Sequence, residues 1–314
     1  MRHAVVRSIP WEGTLQRVWD YPADYPADYP ADYPADYPAG GASDGPSEGP
    51  HGATIVMVHG FRGDHHGLLR LVDELPGHRV LLPDLPGFGQ GQELSGTHDV
   101  ATYARFIADV TRRFAPEPRV LLGHSFGSIV AAEAAALDPD LAGILVLVNP
   151  ISAPALEGPS RAASRIAEGY YVAADRLPDA AGRALLSNPA VVRGMSIFMA
   201  KTKDRNLRRW IHGQHDAYFS SFAGRRVVLE AFRASISGTV RDRARELRMP
   251  VLLIAAENDD IGSVASQREL AALIPDATLE VIPGVGHLVH YEKPREAALL
   301  LKGFLENCLK DTPA

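Results

Sequence analysis

Arg119-Val-Leu-Leu-Gly-His-Ser-Phe-Gly-Ser128 joins an apolar run to an alanine-rich run, Ile129–Leu137. At its centre, Gly123-His124-Ser125-Phe126-Gly127 has the form G-x-S-x-G between a predicted strand and a predicted helix, the context of a nucleophile elbow. A strand that reverses sharply into a helix forces its central residue into a strained backbone conformation. Small residues two positions to either side avoid the resulting clash. The Ser125 hydroxyl then stands clear of the sheet. The next amide points the same way from a helix N-terminus, where negative charge is favoured.

Outward from this stretch the chain has a βα rhythm. Ala53–Val58, Arg79–Pro83, Val120–Leu122, Gly143–Val148 and Pro250–Ala255 are apolar runs without alternation. Such runs suit parallel strands covered on both faces. Val100, Tyr103, Ile107, Val110 and Phe114 recur at helical spacing, with Thr97 or Asp99 as cap. Ser266–Ile274 and Arg295–Leu309 read as further helices. The order predicts an α/β fold with a mostly parallel, doubly wound sheet.

Residues 1–20 carry two short β-type runs suited to a leading hairpin of the core. Residues 21–52 hold Tyr-Pro-Ala-Asp four times from Tyr21, then Tyr37-Pro-Ala-Gly40 and a Gly/Ser/Pro-rich stretch. Proline at every fourth position blocks helix and ladder alike, and it lines no single face of a polyproline II rod. The segment reads as an exposed low-complexity loop rather than a docking segment.

From Pro150 to about Arg248 the rhythm breaks into helical segments: Arg161–Val172, Asp179–Leu186, Val191–Lys201, Arg205–His215 and Val227–Ser237. Inserted after the sixth strand, residues 151–248 are expected to lie over the sheet edge where ligands of open α/β sheets bind. They read as a helical lid between core segments 53–150 and 249–314.

Composition bounds the rest. The 314 residues carry a net charge of −6, with Lys and Arg scattered apart from a short basic cluster in the middle region, so no nucleic-acid partner is expected. The single cysteine, Cys308, rules out an intrachain disulfide and a Cys-based metal site. The first ten residues lack the apolar core of a signal peptide, and no apolar run approaches the ~20 residues that span a bilayer. The chain reads as cytoplasmic, with no membrane partner.

With these motifs assembled, the chain resembles α/β-hydrolase-fold enzymes of the lid-bearing epoxide-hydrolase/haloperoxidase/C–C-hydrolase-like group. The matching motifs are His59-Gly60-Phe61, Asp84-Leu-Pro-Gly-Phe-Gly89, Gly123–Gly127, Glu257-Asn-Asp259 and Gly286-His287, in the family's order over about residues 53–305. The resemblance implies a triad ordered Ser, acid, His. A serine hydroxyl needs a base within hydrogen-bond reach and a third group to orient that base. The expected set is Ser125, Asp259 and His287, with Asp260, Glu257 and His290 as neighbours that could compete. The resemblance places the oxyanion hole at the backbone N–H groups of Phe61 and Phe126. It makes His59, Gly60, Gly123, His124 and Gly127 structural.

Other motifs are discounted. Asp84–Gly89 lacks the spacing of a phosphate loop and reads as a tight turn. Asp64, His65 and His66 are adjacent on what reads as an extended loop and should point apart, so no metal is expected. His212 and His215 read as one face of an amphipathic helix. The expected activity is a cofactor-independent serine hydrolase cleaving a carboxylic ester or related acyl bond of a largely apolar small molecule. Ser125 counts against epoxide hydrolases and dehalogenases, which carry aspartate there. His124, Phe61-Arg62 and Leu288 depart from the C–C hydrolase pattern. C–C cleavage, perhydrolysis and acyl transfer would use the same triad, and a small-molecule receptor on the same fold is the alternative of a different class.

Overall fold

In the computed structural model, which describes residues 2–23, 52–156 and 161–310, the apolar runs become strands. β1 (Val5–Trp11) and β2 (Thr14–Tyr21) form the expected hairpin. β3 (Thr54–Val58), β4 (Arg79–Pro83), β5 (Arg119–His124), β6 (Ile144–Val148), β7 (Val251–Ala256) and β8 (Ala277–Ile282) follow. The sheet order is β1-β2-β4-β3-β5-β6-β7-β8, parallel from β4 through β8, with the hairpin as an antiparallel edge. Residues 24–51 of the expected low-complexity loop lie outside the described residues, while Tyr21 closes β2.

Helices α1 (Leu69–Asp73), α2 (Val100–Phe114) and α3 (Phe126–Leu137) precede β6. Between β6 and β7 come α4 (Arg161–Arg176), α5 (Asp179–Leu186), α6 (Pro189–Met199), α7 (Arg205–Tyr218) and α8 (Arg225–Ser237). After β7 come α9 (Val264–Ala271), α10 (Val289–Glu292) and α11 (Pro294–Lys310). Asp99 is the residue that caps α2, accepting the Thr102 N–H at 2.8 Å. No helix among the described residues is long and apolar enough to cross a membrane.

Strand geometry explains the two cores. Successive side chains point to opposite faces. Val56, Val58, Leu121 and Leu145 pack with Tyr103, Phe106 and Ile107 of α2. Ile55, Met57, Val120 and Leu122 pack with Leu71 of α1 and Leu301 of α11. Both faces are therefore apolar, which is why these strands show no alternation in the sequence. The hairpin is tied on through buried Asp20, which accepts from Arg79 Nε at 2.9 Å and from Arg79 Nη2 and Arg7 Nε at 2.7 Å.

The connections part between β3 and β5: β4 lies on one side of β3, and β5 to β8 run away on the other. Ligands of open α/β sheets bind outside the strand ends at such a switch point. The loops leaving β3 and β5 carry Phe61 and Ser125.

Candidate active site

Ser125 sits at φ 53°, ψ −120°, a conformation that a non-glycine residue holds only when its surroundings impose it. The imposing contacts are backbone. A Cβ on Gly123 would lie 2.3 Å from the Gly127 carbonyl oxygen, and one on Gly127 would lie 2.2 Å from the Val58 oxygen. Neither neighbour can rotate away. Gly127→Ala should therefore cost at least the ~1–3 kcal/mol of an overpacked core, read as a lower denaturation midpoint. A wild-type midpoint would contradict the tight turn.

The structure brings the three expected side chains together. Ser125 Oγ lies 2.8 Å from His287 Nε2, and His287 Nδ1 lies 2.8 Å from Asp259 Oδ2. A carboxylate can only accept, so Nδ1 carries the proton and Nε2 is left to accept from the serine hydroxyl. Asp259 is held from three sides. Its Oδ2 also accepts from Asn149 Nδ2 at 2.9 Å, and its Oδ1 accepts the Ile261 N–H at 2.8 Å. Burial pushes the Asp259 carboxyl up, but His287 and the bonds from Ile261 and Asn149 outweigh it and hold the group below its usual range. The competing acids face elsewhere: Asp260 pairs with Lys201, and Glu257 accepts the Gly284 N–H.

Asn149 directly follows β6 and carries no carboxylate. It is fully buried at φ 46°, a left-handed conformation that asparagine tolerates, and its amide orients the acid. A short polar residue at the end of the strand beside β5 was the available signal.

The supporting histidines are neutral for a physical reason. His124 donates Nε2–H to the His287 carbonyl oxygen at 3.2 Å, and burial pushes its imidazole down to about 3. His59 accepts the Leu85 N–H on Nε2 and donates Nδ1–H to the Gly60 oxygen, both at 2.9 Å. A Cβ on Gly60 would stand 3.2 Å from Ser125 Cβ, so the turn after β3 backs directly onto the serine. That turn closes where the Gly63 N–H donates to the Gly60 oxygen at 3.0 Å, leaving Phe61 and Arg62 at its centre. Phe126 opens α3, where an N–H has no intrahelical acceptor.

Ser125 and His287 lie in the wall of a cavity of about 830 Å³. Helices between β6 and β7 supply much of the rest, through residues such as Tyr171, Met195, Met199 and Phe232. His290 lines the cavity as well, buried in α10 with its ring 4.0 Å from that of His124, and has no hydrogen bond to Ser125.

One expectation is extended and another needs correcting. His212 and His215 lie, as expected, on one face of α7, the buried face that Ile211 shares. Both are buried with Nδ1 atoms 2.6 and 2.7 Å from Ser196 Oγ, and His215 reaches the cavity wall. One hydroxyl proton serves one ring, so at least one of the two imidazoles carries its own proton on Nδ1 and donates it to Ser196 Oγ. Asp64, His65 and His66 do not point apart, because the chain turns into a 3-10 helix at His65–Leu68. Their ligand-capable atoms lie within 4.8 Å of one another. The Nδ1 atoms are taken up by Asp84 and Asp64 at 3.0 and 3.1 Å, and the rings stack between Trp19 and Tyr218.

The chain is similar to known proteins in sequence and in fold. A 2-succinyl-6-hydroxy-2,4-cyclohexadiene-1-carboxylate synthase assigned as putative in Bacillus subtilis is 25% identical over 259 residues, covering 80% of this chain and 90% of that protein. A pimeloyl-[acyl-carrier protein] methyl ester esterase of Xanthomonas axonopodis pv. citri is 28% identical over 253 residues, covering 79% and 94%. A thermophilic esterase from Thermogutta terrifontis shares the fold at a TM-score of 0.70 and 19% identity, covering 98% of this chain and 99% of that one. The family model for the alpha/beta hydrolase fold matches residues 53–294. With the elbow after β5, the histidine after β8 and most of its length matched, the chain belongs to the alpha/beta hydrolase fold family.

Proposed function

We propose that this hydrolase is a serine esterase that cleaves a carboxylic ester, or a related acyl bond, through an acyl-enzyme. The observation that carries the reading is the unbroken bond chain from Ser125 Oγ to His287 to Asp259, opening into the cavity. Ser125 Oγ attacks the acyl carbon while its proton passes to His287 Nε2. The carbonyl electrons move onto oxygen, where the N–H groups of Phe61 and Phe126 receive the charge. Fixed donors in a dry site are typically worth ~3–4 kcal/mol each. Collapse of that intermediate expels an alkoxide, which takes the proton from His287. Water then gives a proton to the same Nε2 and attacks the acyl carbon, releasing the acid and restoring Ser125. Asp259 holds Nδ1–H throughout and stabilises the imidazolium between transfers.

Helices α4 to α8 serve in this reading as a lid. Their apolar side chains in the cavity wall favour an apolar acyl or aryl group. The esterase activity named for the Xanthomonas relative supports acyl-ester chemistry. The test is a fluorophosphonate probe applied to the purified protein, to Ser125→Ala and to His287→Ala, followed by esters of increasing acyl length. Labelling of the wild type alone is expected. A folded wild type that neither labels nor turns over any ester sinks the reading and brings the receptor forward.

A further inference from the structure

Among the described residues Arg62 is the largest fully buried side chain, with 1% of its surface exposed. Among the described residues no carboxylate pairs with it. It occupies the third position of the Gly60–Gly63 turn at φ 59°, where glycine or asparagine is favoured. A buried guanidinium on a strained backbone persists only where the surroundings hold it in place.

The holding groups are helix ends. Nη2 donates to the Leu186 carbonyl at 2.8 Å, and Nε donates to the Phe219 carbonyl at 3.1 Å. Leu186 is the last residue of α5 and Phe219 caps the C-terminus of α7. The last carbonyls of a helix lack intrahelical donors and carry the negative end of its dipole, so a cation there is stabilised without an acid. The guanidinium carbon lies 4.8 Å from the Phe219 ring centroid and 5.6 Å from that of Phe222, within cation–π range. Burial pushes the phenols of Tyr170 and Tyr171 on α4 up, and the nearby Arg62 charge works against it. One side chain thus reaches across 124 and 157 residues of sequence to two helices of the insert.

The preceding residue is Phe61, whose N–H the proposed mechanism uses. We infer that Arg62 is a positioning residue that fastens the Gly60–Gly63 turn to the C-termini of α5 and α7. The Phe61 N–H is then aimed at the oxyanion only while those helices are seated. This rests on the esterase reading for its consequence in catalysis, but not for the fastening itself.

The experiment therefore has an arm that needs no activity. Amide hydrogen exchange is compared between wild type, Arg62→Met and Arg62→Lys, all checked for cooperative unfolding. Exchange within residues 60–63 and at the ends of α5 and α7 should rise about tenfold or more in Arg62→Met, with α2 and α11 unchanged. In the catalytic arm, kcat for an ester should fall about 10²-fold with KM within a few-fold, the pattern of a misplaced oxyanion donor. Methylguanidinium should restore part of the rate to Arg62→Gly, a variant that keeps the turn. If Arg62→Met does not fold, the glycine variant carries both arms, since glycine has no side-chain donor for the Leu186 and Phe219 carbonyls, and lysine shows what a single ammonium does in place of the planar fork. Unchanged exchange at the turn in the folded variants overturns the fastening. A kcat loss that tracks stability and resists rescue overturns the positioning role. An inactive wild type whose turn still loosens on Arg62 substitution counts against the esterase reading alone.

Discussion

Ser125→Ala, His287→Ala and the double variant should each lose kcat by a similar factor, on the order of 10⁶. The bond geometry makes the two residues one device. The serine proton has His287 Nε2 as its acceptor at 2.8 Å, and an imidazole with no hydroxyl to deprotonate contributes nothing to acylation. Removing either part removes the function of both, so the losses should not add. What remains, roughly 10³–10⁴ over water, would come from the backbone donors and the cavity, which neither change touches. Asp259→Asn should cost less, about 10⁴-fold. Asn149 already donates to the acid, so an amide at 259 meets a donor there and favours the wrong imidazole tautomer. Steady-state kcat on one ester across wild type and the four variants decides the matter. Single losses that sum to the double loss would sink the shared role.

Stability should fall steeply once the pH drops below about 6.5, the ordinary value of histidine. Burial pushes His59, His124, His215 and His290 down, His124 to about 3 and His215 to about 4. For a base depressed in the fold, the unfolded chain takes up its proton first. Stability is therefore whole above the unfolded value and lost as the pH falls from there toward the folded value. Each such group removes about 1.4 kcal/mol per pH unit, so His124 and His215 alone would remove about 4 kcal/mol by pH 5. That is a large share of a typical ~5–15 kcal/mol. Asp259 works in a different window. Its depressed carboxyl adds stability above the carboxylate range and gives it up only in stronger acid. Urea midpoints at pH 7.5, 6 and 5 test this. A flat series would show that these imidazoles charge freely in the folded protein.

Much of the fold was legible because its signals are local. The two-faced strands appear as unbroken apolar runs, and the elbow appears as two glycines whose Cβ atoms would strike backbone. The helices of the insert show in their periodicity, and α5 spans the residues expected for it. The five-residue α1 is too short to show a period. Among the candidate site residues, Ser125, Asp259 and His287 announce themselves by position at the ends of strands. Asn149, Arg62 and Ser196 do not, because each acts through a partner more than a dozen positions away, and spacing along the chain carries no trace of it. The Asp64–His66 turn escaped for a related reason. Its direction is decided by Asp84, reached from His65 through the fold.

Ser125 and His287 stand 162 positions apart, with all of α4 to α8 between them. During synthesis at about 5–20 residues per second, the serine leaves the ribosome's active centre about 8–30 s before its base is made. Its hydroxyl waits through that interval with ordinary alcohol reactivity, whatever local turn has already formed around it. If His287 is the base, as proposed, any nascent or truncated chain that stops short of β8 should be chemically silent at Ser125. On the proposed mechanism, the chain gains its nucleophile only once the sheet that confines Ser125 has received its last strand.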